Sequence, residues 1–207
     1  MKILRALILL IVLIATLPAA DFESWHSFDF VPVASEKFEL TIHTQLRTRS
    51  RFQELSQFRF GPIARYSLHP NVRVAGGYYY RDLEDVGRDW SDSHRVFVGI
   101  ENPFSRGRVN IQSRAYLEHY FGATVSPYNR LRHRLRVGWS GKVEPYAAAE
   151  CFVVAEGLQA VRYMAGIQRR LSHGARLDIA YYYDDFHLGT DRQALVTSLR
   201  FDFGRDR

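Results

Sequence analysis

Along Asn129–Trp139, NRLRHRLRVGW, one parity holds Leu131, Leu135, Val137 and Trp139, and the other holds Arg132, Arg134 and Arg136. A helix would spread these arginines around most of its circumference, whereas a strand sends alternate residues to opposite faces, so the pattern predicts a strand between two unlike media. The rhythm recurs. Phe38, Leu40, Ile42 and Leu46 oppose Glu39, His43, Gln45 and Arg47; Val96, Val98 and Ile100 oppose Arg95 and Glu101; Val109, Ile111 and Leu117 oppose Asn110, Gln112 and Arg114. Further strands are predicted over 58–68, 72–81, 143–154, 161–171, 175–184 and 194–203, with Pro62 marking a bulge in the first of them. Counted from Lys37 there are about ten strands, each near the length a tilted membrane strand needs.

The connections carry a second pattern. His69-Pro70-Asn71, Ser140-Gly141-Lys142 and Ser172-His173-Gly174 fit three-residue hairpin loops, while Thr48–Gln57, Asp82–Ser93, Tyr120–Tyr128 and Asp185–Gln193 are longer and polar. Tight and long connections largely alternate, as periplasmic turns and extracellular loops do. Counting from Lys37 brings both barrel ends to the tight-turn side. Residues 21–36, with Trp25, Phe28 and Phe30, read as a periplasmic segment or an extra strand. An ordinary extra strand would break that parity, so the segment stays outside the count, with a twelve-strand arrangement as the alternative.

Which face looks inward decides the class. An inward apolar parity would overfill a small soluble barrel, since eight-stranded barrels already fill their interiors with fewer side chains. An inward arginine parity leaves Leu, Val, Ile and Ala outside with Tyr and Trp toward strand ends, which suits a lipid-facing band. The predicted fold is therefore all-β: a single up-and-down antiparallel transmembrane β-barrel over 37–203, with a polar, arginine-rich lumen. A secreted, soluble, lipocalin-like binding barrel is the alternative.

Hairpin counting then pairs lumen residues. A tight turn at 140–142 sets Trp139 against Val143, hence Arg132 against Glu150, with Arg136 diagonal to Glu144; the turn at 172–174 sets Gln168 against Asp178 and Arg162 against Asp184. With Arg134, these define an expected lumen charge network that braces a narrow interior. Arg47, Arg59, Arg65, Arg73, Arg95, Arg114 and Arg134 have no obvious carboxylate opposite. That surplus points to an anion-preferring pore or an acidic-ligand site as an alternative to a purely structural barrel.

Composition narrows the rest. The chain of 207 residues has a formal net charge of +6, but its arginines are spread singly along strands, which argues against nucleic acid. Met1–Ala20 reads as a cleaved secretory signal: Lys2 and Arg5 precede the apolar run Ala6–Leu17 and the small-residue end Pro18-Ala19-Ala20. A lone cysteine, Cys151, rules out an intrachain disulfide and a cysteine zinc site, and with no cysteine following the leader a lipoprotein anchor is ruled out as well.

PYAAAECF at Pro145–Phe152, followed by Arg162, Gly166, Leu171, Leu177 and Tyr181, carries a resemblance. With Trp25, Leu46-Arg47 and Gly77-Tyr78, it resembles the bacterial family designated domain of unknown function 2490, whose members look like secreted outer-membrane barrels. The resemblance implies that fold and the Gram-negative outer membrane, but brings no activity and no catalytic residue. The end of the chain, Leu199–Phe203, is similar to the terminal strand that barrel-assembly machinery recognises, apart from the trailing residues 204–207. Expected partners are outer-membrane lipid, that machinery and small anionic solutes, with no cofactor or metal.

An outer-membrane hydrolase or acyltransferase is a further alternative. His94 with Asp92 and Ser93, His119 with Glu118, and His187 with Asp184 and Asp185 are its candidates, but neighbours along a strand point to opposite faces. No enzyme is therefore expected. Asp82, Glu84, Asp85, Asp89 and Asp92 lack the spacing of a calcium loop.

Overall fold

The computed structural model describes residues 22–49, 54–84, 90–123, 125–171 and 174–203. Eleven strands follow one another: β1 (Phe22–Ala34), β2 (Phe38–Arg49), β3 (Glu54–His69), β4 (Val72–Glu84), β5 (Trp90–Arg106), β6 (Val109–Phe121), β7 (Tyr128–Trp139), β8 (Glu144–Val154), β9 (Gly157–Arg170), β10 (Ala175–Phe186) and β11 (Arg192–Asp202). They close into a single barrel in which each strand pairs with its sequence neighbours and β1 meets β11. The predicted all-β barrel is what the chain forms.

Among the described residues the strand count is eleven, and the added wall is β1. Its Phe22 lies opposite Gln193 and its Val31 opposite Asp202, in parallel register along β11. Each hairpin reverses the chain, so strands one and eleven point the same way and an odd ring closes only through a parallel pair. The parity argument against residues 21–36 assumed antiparallel closure, and the parallel seam removes it. Among the described strands no unpaired edge is left. One consequence is a correction: the two barrel ends lie at opposite mouths, Phe22 beside Gln193, with Ser24 opposite Thr48, and Phe203 beside Val31 at the tight-turn end.

The strands are also longer than the sequence pattern suggests, at 16 residues for β3 and 17 for β5. About 9–11 suffice to cross a bilayer. Much of what reads as long polar loop continues the ladder instead, since β2 runs to Arg49, β4 to Glu84 and β6 to Phe121. Polar side chains at strand ends do not interrupt backbone pairing. Between β8 and β9 the connection is a bare turn, Ala155-Glu156, which Gly157 completes at a φ of 123°. The leader, His173, Asp85, Asp89 and residues 204–207 lie outside the described residues.

Alternation places the two faces. Leu131, Leu135, Val137 and Trp139 stand outward at 45–53% exposure, and Val98 and Leu117 at 56%. Inside, Glu118, Glu150 and Asp184 are at 0–2%. Lumen glycines make room for rings: a Cβ on Gly77 would lie 2.6 Å from the Phe97 ring, and one on Gly166 2.8 Å from the Tyr146 ring.

Candidate functional site: an arginine-rich lumen

A chain of ion pairs runs round the lumen from β5 to β11. Arg95 lies 3.1 Å from Glu118, which Arg130 also reaches at 2.7 Å and Arg132 at 3.5 Å. Arg132 grips Glu150 with Nε at 2.7 Å and Nη2 at 2.9 Å. Arg162 stands 3.6 Å from Glu150 and holds Asp184 through Nε at 2.5 Å and Nη2 at 2.8 Å. Arg192 closes the run at 2.6 Å from Asp184. Each carboxylate is shared by at least two guanidiniums, whose forks supply several charge-assisted hydrogen bonds to offset desolvation.

A second cluster braces the tight-turn end. Glu39 receives Arg200 at 2.8 Å and Arg65 at 3.0 Å, and Arg65 reaches Glu101 at 3.2 Å, to which Tyr116 also donates. Arg65 lies directly opposite Glu39 and reaches Glu101 over β4, where interior Ala75 leaves the way open, and Arg200 reaches Glu39 over β1. They tie the seam together from inside.

Of the expected network, Asp178 lies opposite Gln168, which donates to it at 2.6 Å, and Asp184 lies opposite Arg162. On the β7–β8 hairpin the register differs by two residues: Arg134 faces Glu150, and Arg132 faces Phe152. Val143 belongs to the turn rather than the strand, so the connection spans 140–143. Arg132 nonetheless reaches Glu150 diagonally. Arg136 does not engage Glu144; its guanidinium stacks 3.7 Å over Tyr146, and Glu144 faces Gln168. Arg134 donates to Gln112 at 3.1 Å.

Five of the seven arginines expected to lack a carboxylate opposite find one. Arg65 has Glu39 directly opposite and Glu101 beyond, Arg73 and Arg114 both lie opposite Glu101, Arg134 lies opposite Glu150, and Arg95 pairs with Glu118; Arg114 also reaches over β7 to Glu150 at 2.9 Å. Glu118, Arg130 and Arg192 are network members that hairpin counting missed. Their inward parity was the available signal. The histidine candidates fall on the wrong faces: His94 bonds Tyr78 at 2.7 Å and approaches Asp92 at 3.4 Å, while Ser93 points inward to accept from Arg81. His119 bonds Asn129 at 2.8 Å, with Glu118 on the opposite face. Asp184, beside His187 in the sequence, is held inside by its arginines.

On β2–β4 the lumen is different. Arg47, Arg59 and Arg81 make no ion pair among the described residues; they lie over Trp25 at 3.8 Å, Tyr79 at 5.5 Å and Tyr120 at 5.4 Å. They line a cavity of about 280 Å³ to which eight arginines contribute but only one carboxylate, Asp184. Arg47, Gln57 and Arg192 continue into the next cavity toward the end where β2 and β3 connect. The buried lumen atoms left without a hydrogen bond, Gln57 Nε2, Arg114 Nε and Arg134 Nε, are all donors. Such a lining suits ligands rich in acceptor oxygens. Among the described residues no group of acids, histidines and cysteine is placed to hold a metal.

Fold and lumen together define a class, a closed β-barrel whose polar side is its inside. A family model described as a protein of unknown function (DUF2490) matches residues 22–194, and the chain belongs to that family. No curated protein matches the chain.

Proposed function

We propose that this protein is an outer-membrane β-barrel, exported by the signal at Met1–Ala20, whose ion-paired lumen gives a rigid wall with little open passage. The observation that carries the reading is the inversion of its faces. Val98 and Leu117 at 56% exposure, with Leu131 and Leu135 at 47%, form part of an apolar girth, while the charged groups are inside. Water-soluble monomers rarely expose apolar patches beyond a few hundred Å². In lipid the same surface is matched, and closure satisfies every backbone group. Aromatic residues at both rims fit interfacial anchoring: Tyr78, His94 and Phe121 at one end, and Phe30, Phe201 and Phe203 at the other.

The excess of lumen arginines over acids supports a second role, admission of small anions from the mouth where β2 and β3 connect. Cell fractionation tests the first reading. The protein should be recovered with outer membranes and migrate faster in detergent gels before boiling than after it; recovery in the soluble periplasmic fraction would overturn the assignment. Planar-bilayer recording tests the second, with small anion-favouring conductance expected and silence across repeated insertions counting for a closed wall.

A further inference from the structure

Arg59 and Arg81 lie directly opposite each other across β3 and β4, both pointing into the lumen. Like charges facing across a ladder are destabilising. Among the described residues no carboxylate pairs with either: Glu39, the inward acid of β2, sits at the tight-turn end with Arg65 and Arg200. Arg47 adds a third guanidinium. Directly opposite it is Gln57, 4% exposed, whose Nε2 has no acceptor.

Geometry leaves the donors free toward the cavity. Arg81 spends Nε on Ser93 at 2.8 Å and Arg47 spends Nε on Gln45 at 3.0 Å, while Arg59 donates no hydrogen bond among the described residues. Rings hold the guanidinium faces, so in-plane N–H groups remain available. Three forks and an orphaned amide on one wall match an anion with several charged oxygens better than a single halide.

We infer that Arg47, Arg59, Arg81 and Gln57 form a binding site for a small multivalent oxyanion, a phosphate or a dicarboxylate, entered from the mouth where β2 and β3 connect. The ligand replaces the missing acid of this wall and relieves the Arg59–Arg81 repulsion. The site rests on the barrel fold and not on membrane location, so its test in detergent can fail while the outer-membrane reading stands.

The test titrates the full mature chain, purified in a neutral detergent, with inorganic phosphate and separately with succinate. Ionic strength is held constant with sodium chloride, and binding is followed by calorimetry and by the thermal midpoint. Either anion, or both, should bind saturably and raise the midpoint above its value in chloride at the same ionic strength; which one does distinguishes tetrahedral from dicarboxylate ligands. Arg59→Gln or Arg81→Gln should weaken binding about tenfold, the loss of one charge-assisted contact. Arg136→Gln, in the lumen but outside this cavity, should bind like the parent. The double variant R59Q/R81Q should be more heat-stable than the parent in chloride, which separates loss of the site from loss of the fold. The inference is overturned if neither anion outperforms chloride, if R136Q weakens binding as much as R59Q, or if R59Q/R81Q is no more stable than the parent in chloride.

Discussion

Arg114 faces Arg134 across β6 and β7 just as Arg59 faces Arg81 across β3 and β4. The two places differ in what flanks them: Glu101 and Glu150 in the first, Ser93 and Gln45 in the second. Opposite Arg134 on its other side stands Glu150, 1% exposed, which also receives Arg114 at 2.9 Å and is gripped by Arg132. Beside Arg59 the corresponding neighbour is Gln45, a neutral amide already bonded to Ser27 and Arg47. Arginine density is thus the same device in both walls, and the carboxylate decides its meaning. With one, guanidiniums become struts; without one, they remain a field that attracts anions.

The largest effect should come from making the first wall resemble the second. Glu150→Gln keeps the volume but leaves Arg114, Arg132 and Arg162 around a neutral amide, the situation of a buried pair broken from one side. A loss of about 3–5 kcal/mol is expected. Denaturant unfolding in detergent micelles, followed by tryptophan fluorescence, measures it. A loss under about 1 kcal/mol would mean that the belt is solvated and is not a structural brace.

How far this comparison was legible in the sequence follows from the geometry. Two-faced strands announce themselves because side-chain direction has a period of two, so NRLRHRLRVGW and its neighbours gave away both the barrel and its inverted lumen. Pairs inside one hairpin were legible wherever the turn was, as with Arg162 and Asp184 about residues 172–174. On the β7–β8 hairpin the ladder stops at Gly138 and Tyr146, so a connection wider than three residues shifted the register by two. Pairs that step over a strand had no local signal: Arg65 to Glu101, Arg114 to Glu150, and Arg200 to Glu39, 161 residues apart, depend on barrel curvature and on which intervening residue is small. β1 was hidden by a rule. Its alternation of Trp25, Ser27 and Asp29 with Phe28 and Phe30 is plain, but only a parallel seam gives it a place. The arc on β2–β4 was half legible, since Arg47 and Arg59 were visibly unpaired while Arg81 and Gln57 gain their meaning from register.

A smaller effect runs the comparison backward. Gln57→Glu supplies the second wall with the acid it lacks, directly opposite Arg47 and two residues from Arg59. The gain should be about 0.5–1.5 kcal/mol, because the orphaned Nε2 is removed and a charged acceptor is added. The same variant should lose the midpoint shift given by phosphate or succinate. A stabilised Q57E protein that still responds to either anion would place the responsive arginines elsewhere in the lumen.

The smallest effect is the response of the untouched protein to salt. Raising sodium chloride from about 0.05 to about 0.5 M shortens the screening length from about 14 to about 4 Å. Screening acts on charges that solvent reaches, so it leaves the buried Glu118 and Glu150 pairs nearly unchanged and eases the repulsion of Arg59 and Arg81 along their cavity. The parent should gain about 1–2 °C in its midpoint, corresponding to a few tenths of a kcal/mol. R59Q/R81Q has no such repulsion to relieve and should show a flat response or a slight fall as its rim pairs, such as Arg49 with Glu54 and Glu84, are screened. Equal gains in parent and double variant would trace the salt effect to the net charge of the whole barrel, and the difference between the two walls would then lie in packing alone.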